Sequence, residues 1–407
     1  MIEGLFEIQY EISRFIDQST KRYLYNEIDW HNRLIFIKGA RGVGKTTLLL
    51  QYLNENFKSS DVCLYVSGDN IIVNSLGLFN IASELNKNGG KTFIIDEIHK
   101  YPDWSQELKN IYDSIPGLKI IVSGSSSLEI IKGKYDLSRR AVVYNLAGLS
   151  FREYSCIALN NEYIRPYTIK EIIEDHLQIA GKIKEKVEQK GKKILKLFND
   201  YIKFGYYPYF LEGTDSYFMK LNNVIEKVLY EDIPSIFNLR PTSIPYLKKL
   251  IYLVATSVPF SPNIARISSN LGVSKEYIYN YIDYLEKAGL FLFLHPSAEG
   301  LRLVRKPEKI YLENTNLYFA IEGASHFTIN SGALRETYVL NQLKLLHSVF
   351  SHKKGDLIVD GKFIFEIGGK TKTRKQIKDV EDSYILSDGI EIGFSKKIPL
   401  YLMGMTY

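Results

Sequence analysis

The sequence predicts an α/β fold whose first part is a parallel sheet with helices on both faces, followed by a helical region and a small α+β region. Short apolar segments alternate with helical patterns over residues 33–146, and such alternation is typical of parallel sheets. A glycine-rich loop joins the first predicted strand to a helix, and the alternation stops after the segment LAGLSFREYS. The predicted strands are 33–39, 62–67, 92–96, 119–123 and 141–146.

The first strand, its loop and the following helix form the run LIFIKGARGVGKTTLLLQYL, which fits the pattern G-x-x-x-x-G-K-[ST]. A chance glycine turn is the alternative, but the order strand, loop, helix favours a phosphate-binding loop. Lys45 can reach the β- and γ-phosphates of a nucleotide, and the Thr46 hydroxyl can ligate Mg²⁺. The candidate nucleotide-binding residues are Gly39, Ala40, Arg41, Gly42, Val43, Gly44, Lys45, Thr46 and Thr47.

A pair of acidic residues ends the predicted strand in KTFIIDEIHKYPDW. Phosphate chemistry needs a carboxylate for the Mg²⁺ shell and a group that orients or deprotonates the attacking water. We assign Asp96 to the metal and Glu97 to the water. Glu97 as a mere strand cap is the alternative, but the adjacent Asp-Glu pair favours nucleotide hydrolysis.

Two further polar groups are candidates for catalysis. The strand LKIIVSG is followed by SSSLEI, and either Ser123 or Ser125 is placed to sense the γ-phosphate, unless the serines only cap a helix. Arg139 and Arg140 precede the last strand of the first part. Arg140 is a candidate arginine finger, in cis or from a neighbouring subunit, although an Arg pair before a strand is more often structural. Arg41 either contacts phosphate or faces solvent.

Composition limits the class of protein. The 407 residues are 45% hydrophobic and 24% charged, as expected for a globular chain of two or three domains. The net charge of +6 permits nucleic-acid contact without requiring it. Cys63 and Cys156 lack metal-ligand spacing and are expected to be free thiols in a reducing cytoplasm. We expect no signal peptide and no membrane span, because the N-terminus has early acidic residues and no long apolar run occurs.

The middle of the chain is predicted to be helical and then to form a winged helix. KIKEKVEQKGKKILKLF is interpreted as a solvated helix face, with nucleic-acid contact as the alternative. Three helical patterns follow, the second ended by Gly272, and the third runs into a strand. Folds of this type often place the third helix in a major groove.

Charge argues against DNA recognition by that third helix. It carries Lys275 and Lys287 against Glu276, Asp283 and Glu286, whereas phosphate contacts need a positive surface. We therefore favour a structural or partner-binding role. The following segment GLRLVRKPEK leaves backbone contact possible through the basic residues Arg302, Arg305, Lys306 and Lys309.

The last segment contains a possible nuclease-like site. A helix bearing Glu336 precedes a hairpin bearing Asp356, Glu366 and Lys370, an order similar to the nuclease fold with the PD-D/E-x-K motif. In that fold two carboxylates hold Mg²⁺ and a lysine activates water. Here Ile-Gly-Gly separates Glu366 from Lys370, so convergence requires a bulge at the glycines. We favour a fold relic without cutting activity; the basic run KTKTRKQIK remains a possible polyanion contact.

The motifs together resemble a known family. GARGVGKTT, FIIDEIHKYPDW, IIVSGSSS, LSFREY, LRETYVLNQL and IFEIGGK occur in the order typical of a widespread prokaryotic group of AAA-type P-loop ATPases with a C-terminal domain of unknown function. The resemblance covers nearly the whole chain. It implies a P-loop NTPase fold, ATP and Mg²⁺ as cofactors, slow hydrolysis and a nuclease-like C-terminal region that is often degenerate. It names no biological substrate.

We accordingly expect four regions. They are a P-loop AAA-type ATPase domain (1–157), a helical region (158–240), a winged-helix domain (241–313) and a nuclease-like α+β domain (314–407).

Three functions are open from the sequence. The favoured one is an ATPase whose nucleotide state acts as a switch or regulator. The second is a nucleic-acid-binding or nuclease-like protein licensed by ATP, and the third is a nucleotide-gated scaffold that does not hydrolyse. A protein partner, DNA or RNA, and a homo-oligomer are all compatible with the sequence. ATP rather than GTP follows from the resemblance alone.

Overall fold

The computed structural model describes residues 2–57, 62–125, 137, 139–257, 260–297, 307–325 and 327–407. The chain divides into two compact units, Met1–Gly148 and Leu149–Tyr407. Each unit has its own hydrophobic core. The finer division into four regions remains a prediction.

The first unit is built on a parallel sheet. Its strands are β1 (Leu34–Gly39), β2 (Cys63–Ser67), β3 (Thr92–Asp96), β4 (Lys119–Ser125) and β5 (Val142–Asn145). Its helices are α1 (Glu3–Ser13), α2 (Leu24–Glu27), α3 (Lys45–Asn56), α4 (Ile71–Leu76), α5 (Leu78–Lys87) and α6 (Trp104–Ser114). The strands lie in the order β2-β3-β4-β1-β5, and each neighbouring pair is parallel. The predicted parallel α/β architecture is confirmed, with every predicted strand present and its ends within two residues of the expected ones.

The strand order brings the polar strand ends together. Strand β4 lies between β1 and β3, which are not neighbours. Ile37 is level with Ser123 across the β1–β4 pair, and Ile95 is level with Val122 across the β3–β4 pair. Because all these strands run the same way, Gly39, Asp96 and Ser123 come to one edge of the sheet, where ligands of open α/β sheets bind.

Helix α1 covers the exposed edge of β2. The buried Gln9 side chain donates to the Cys63 carbonyl (3.2 Å) and accepts from the Tyr65 backbone N–H (2.5 Å). One amide side chain therefore replaces a neighbouring strand for two backbone groups. An unpaired strand edge is a template for association with other chains, so Gln9 completes this side of the sheet.

The second unit is helical first and mixed afterwards. Its helices are α7 (Phe151–Ala158), α8 (Ile169–Gln189), α9 (Ile194–Phe204), α10 (Tyr217–Lys227), α11 (Ile233–Phe237), α12 (Ile244–Thr256), α13 (Ile264–Leu271), α14 (Lys275–Lys287), α15 (Thr315–Ser325) and α16 (Ser331–Lys344). Its strands are β6 (Phe291–Leu294), β7 (Lys309–Leu312), β8 (Val349–Ser351), β9 (Leu357–Val359), β10 (Phe363–Gly368), β11 (Ser383–Ser387) and β12 (Lys397–Pro399).

The strands of the second unit form two sheets. Strands β8 to β12 make one mixed sheet in the order β12-β11-β10-β9-β8, and β6 pairs antiparallel with β7. The predicted helical region and C-terminal α+β region are thus confirmed. Helices α12, α13 and α14 followed by the β6–β7 pair occur in the order expected of a winged helix, whose assignment stays a prediction. None of the described helices is both long and apolar enough to cross a membrane.

The close approach at Gly39 yields a stability prediction. A Cβ on Gly39 would overlap the Leu146 carbonyl oxygen and press on the Val43 side chain. Because the first obstacle is backbone, we expect Gly39→Ala to lower the free energy of unfolding of the first unit by about 1–3 kcal/mol. Denaturant unfolding of the full chain measures the change.

Gly4→Ala is the matched control. Gly4 lies in α1, and a Cβ there would meet no atom within 4 Å. This variant should be as stable as the wild type or slightly more so, because Ala favours a helix over Gly. Equal stability of Gly39→Ala and Gly4→Ala would contradict the close approach.

Candidate functional site

The loop between β1 and α3 has the backbone geometry of a phosphate cradle. Gly42 and Gly44 adopt φ angles of 80° and 98°, a region that residues with a Cβ rarely enter. The Lys45 ammonium, buried with its side chain, donates to the carbonyls of Gly39 (2.8 Å) and Ala40 (3.0 Å). A cation and the N-terminus of a helix therefore face the same concavity, as anion binding requires.

Asp96 is the centre of the site. Its Oδ2 accepts hydrogen bonds from the Thr46 hydroxyl (2.5 Å) and the Tyr65 hydroxyl (2.9 Å). Its Oδ1 accepts from the Ser123 hydroxyl and from the Glu97 backbone N–H (3.0 Å). The side chain is buried, and these donors lie on α3, β2, β4 and the residue that follows β3.

The oxygen donors at this point fit Mg²⁺. The Thr46 hydroxyl and the Asp96 carboxylate are in direct contact beside the phosphate loop. Mg²⁺ in nucleotide sites commonly takes one or two protein oxygens and completes its shell with phosphates and water. Among the described residues, no group of three His, Cys, Asp or Glu side chains is arranged to hold a metal. The donor set therefore suits an ion shared with a nucleotide rather than a site made of protein alone.

Glu97 lies next to this centre and is ion-paired. Its backbone is left-handed, with φ 47°, which is costly for a residue other than glycine. Its carboxylate pairs with Lys100, and one oxygen lies 4.0 Å from an Arg41 guanidinium nitrogen. The Lys100 ammonium nitrogen also lies 2.5 Å from a carboxylate oxygen of Asp69.

These charges set the protonation state of Glu97. Burial alone would raise the pKa of Glu97, but the Lys100 ammonium, His99 and Arg41 outweigh it and hold the pKa below its ordinary value. The carboxylate is therefore ionised at neutral pH. The sequence predicts that Arg41 either contacts phosphate or faces solvent. In the structure its side chain is mostly buried and directed toward Glu97.

The other two predicted catalytic residues lie in different places. Ser123 is fully buried, and it both donates to Asp96 and accepts from the Glu97 N–H at 3.1 Å. The side chain of Ser125 lies outside the described residues. Arg140 forms a bidentate pair with Asp113 at the end of α6, at 3.0 and 3.2 Å. The structure thus brings Ser123 to the site and holds Arg140 in a contact with α6; an arginine finger acting in trans stays a prediction.

Two residues of the site were not predicted from the sequence. Tyr65 reaches Asp96 from β2. Arg22 is buried and donates to the Val43 carbonyl in the loop, to the Ala147 carbonyl (2.7 Å) and to the Gly148 carbonyl (3.0 Å). Neither residue lies in a motif, so only their contacts identify them.

The acidic residues predicted for the C-terminal region do come together. Burial raises the pKa of Glu366, the negative charges of Asp356 and Glu336 raise it further, and the Lys372 ammonium opposes them. Lys372 pairs directly with Glu366. The sequence suggested Lys370 for this role. The chain turns back after Gly368, where the Lys372 backbone N–H donates to the Gly369 carbonyl (3.0 Å). Lys372 therefore lies beside Glu366 in place of Lys370.

A second lysine neutralises the same cluster. The Lys309 ammonium nitrogen lies 3.0 Å from a Glu336 carboxylate oxygen and 4.0 Å from an Asp356 carboxylate oxygen. The Tyr311 hydroxyl donates a hydrogen bond to the Glu336 carboxylate. The carboxylates are therefore balanced by cations of the same unit. Lys309, which the sequence left open for contact with a nucleic-acid backbone, pairs with these carboxylates instead. Arg302, Arg305 and Lys306 lie outside the described residues.

Two family models match different parts of the chain. Residues 31–155 match the family model described as an AAA domain. Residues 195–328 match the one described as a domain of unknown function, DUF8612. The first match contains β1 to β5 and every group around Asp96, and the second lies within Leu149–Tyr407.

Related proteins share most of the chain. The uncharacterized protein MJ1637 of Methanocaldococcus jannaschii is 27% identical over 414 residues, which cover 94% of this chain and 85% of that protein. The uncharacterized protein MJ1544 of the same organism is 25% identical, covering 77% of this chain and 67% of that protein. Their names assign no activity.

Solved structures give only distant similarities. AMPPCP-bound DnaA from Aquifex aeolicus is 18% identical, with 70% of this chain and 89% of that chain covered and a TM-score of 0.29. C. elegans PCH-2 is 16% identical, with 43% of this chain and 49% of that chain covered and a TM-score of 0.23. TM-scores this low carry no information on substrate or partner. The family match and the sheet geometry lead to one conclusion: the chain carries an AAA-type P-loop domain, followed by a region that matches a domain of unknown function.

Proposed function

We propose that the first unit binds ATP with Mg²⁺ and hydrolyses it, and that the nucleotide state acts as a switch for the second unit. The observation that carries the proposal is the meeting of Thr46 and Asp96 beside Lys45 and Glu97 at the carboxyl edge of the sheet. This arrangement combines a phosphate cradle, a pair of metal ligands and a carboxylate placed for water. The choice of ATP rests on the AAA match.

Binding exchanges internal contacts for contacts with phosphate. Lys45 gives up the Gly39 and Ala40 carbonyls and donates to β- and γ-phosphate oxygens. Thr46 and Asp96 would hold Mg²⁺, which supplies charge neutralisation of the phosphates. The backbone N–H groups of the loop add further donors.

Hydrolysis requires a base, and Glu97 fills that role. Its carboxylate is ionised and accepts a proton from the water that attacks the γ-phosphorus. To reach the water it must leave its ion pair with Lys100, which is then retained by Asp69. Lys100 thereby restrains the base and lowers its pKa.

The switch role is supported by Arg22. Its guanidinium joins a carbonyl of the phosphate loop to the carbonyls of Ala147 and Gly148, the last residues of the first unit. A change in the loop at Val43 therefore reaches the residues from which the chain enters the second unit. A nucleotide shifts such an equilibrium by its difference in affinity for the two arrangements.

Glu97→Gln tests the proposal. The variant keeps the size of the side chain but removes the base, so we expect turnover to fall by on the order of 100-fold or more, with ATP still bound. Mg²⁺-dependent phosphate release measures turnover, and titration calorimetry measures binding.

Glu7→Gln is the control, because Glu7 is exposed on α1 and should leave turnover unchanged. The assay is repeated with DNA and with RNA. Turnover that rises with nucleic acid would favour the ATP-licensed nucleic-acid function, and binding without turnover in the wild type would favour the non-hydrolysing scaffold. Full turnover in Glu97→Gln would contradict the role of Glu97.

The restraint by Lys100 gives a pH prediction. The lowered pKa of Glu97 keeps the base ionised down to acidic pH. In Lys100→Met the raising effect of burial is no longer opposed by this cation, so the pKa of Glu97 rises. The acid limb of the profile of kcat/KM against pH should move to higher pH, because that limb reports the base of the free enzyme.

Lys87→Met is the matched control, since Lys87 is exposed in the last turn of α5. Its acid limb should coincide with that of the wild type. An acid limb in Lys100→Met that is unchanged or moved to lower pH would mean that Lys100 does not set the protonation of the catalytic base.

A further inference from the structure

The second unit contains a cavity of about 840 Å³ lined mainly by α10, α12 and α13. Its floor is apolar and is formed by the buried side chains of Ile225, Leu229, Ile251, Phe260 and Ile267. Ligand pockets for small molecules have volumes of roughly 300–1,000 Å³ and are mostly apolar with a few polar groups. The cavity has this size and character, and none of its lining residues belongs to the phosphate site.

Charge at the mouth of the cavity is one-sided. Three cations line it, Lys248, Lys249 and Arg266, against one anion, Glu226. Lys248 and Glu226 pair at 2.6 Å and neutralise each other. Within the described residues neither Lys249 nor Arg266 forms an ion pair, and the Lys249 ammonium lies 5.8 Å from the Tyr246 ring centre. Two positive charges on α12 and α13, at the edge of an apolar floor, therefore have no acidic partner in the part of the chain that the structure describes.

We propose that this cavity binds an anionic amphiphile, meaning an apolar chain or ring system that ends in a carboxylate or a phosphate. The floor stabilises the apolar body by removing it from water. Lys249 and Arg266 bind the acid group through charge-assisted hydrogen bonds. A cationic ligand is repelled by the same pair, and a neutral polar ligand gains nothing from the floor.

Titration calorimetry on the full chain tests the proposal, with dodecanoate and dodecyl phosphate as probes. We expect saturable binding of one molecule per chain, and the tighter of the two probes identifies the preferred acid group. Octanoate should bind on the order of 100-fold more weakly than dodecanoate, because four methylenes leave the floor. Dodecyltrimethylammonium, with the same tail and the opposite charge, should not bind.

Variants test the contributions of the charged mouth and of the cavity lining to binding separately. Lys249→Glu combined with Arg266→Glu changes two exposed side chains and should weaken dodecanoate binding at least tenfold. Arg240→Glu, exposed in the same unit and outside the cavity, should leave it unchanged. Leu271→Trp adds volume to a lining position and should also weaken binding. The proposal is overturned if neither acid probe saturates, if the cationic probe binds as tightly as dodecanoate, or if the double charge reversal binds like the wild type.

Discussion

The nucleotide site depends on the buried carboxylate of Asp96. It accepts hydrogen bonds from Thr46 on α3, Tyr65 on β2 and Ser123 on β4. Hydrogen bonds to a charged group contribute roughly 1.5–3 kcal/mol each, and leaving such a group unsatisfied costs more. One side chain therefore holds the start of the phosphate-loop helix against two strands. The same oxygens are the protein's candidate ligands for Mg²⁺, so the contacts that join these elements also place the residues that would hold the ion.

The charged groups of the site are balanced by internal partners. Lys45 lies on loop carbonyls, and Glu97 lies against Lys100 and Arg41. In the proposed mechanism these contacts are exchanged when phosphate and water take their places. Such an exchange couples ligand binding to a change of conformation, and its free energy is the difference between the two sets of contacts. Arg22 joins the loop carbonyl of Val43 to the last residues of the first unit, and in the proposed switch it transmits that change.

The sequence predicted those parts of the molecule that local patterns encode. The five apolar runs identified β1 to β5, and the glycine pattern identified the loop, because strands and phosphate loops place fixed residue types at fixed spacings. Tyr65 and Arg22 were missed because their roles arise from contacts between distant segments. The pairing of Lys372 with Glu366 was missed for a related reason: the turn after Gly368, which no spacing rule describes, decides which lysine meets Glu366.

Asp96 is proposed to serve Mg²⁺-dependent nucleotide binding. The most direct measurement is the affinity for ATP with Mg²⁺ and with EDTA, in the wild type, in Asp96→Asn and in Asp69→Asn as a control for loss of a nearby carboxylate. We expect Mg²⁺ to strengthen binding to the wild type and to Asp69→Asn, and this gain to disappear in Asp96→Asn while the chain remains folded. An undiminished gain from Mg²⁺ in folded Asp96→Asn would contradict this role of Asp96.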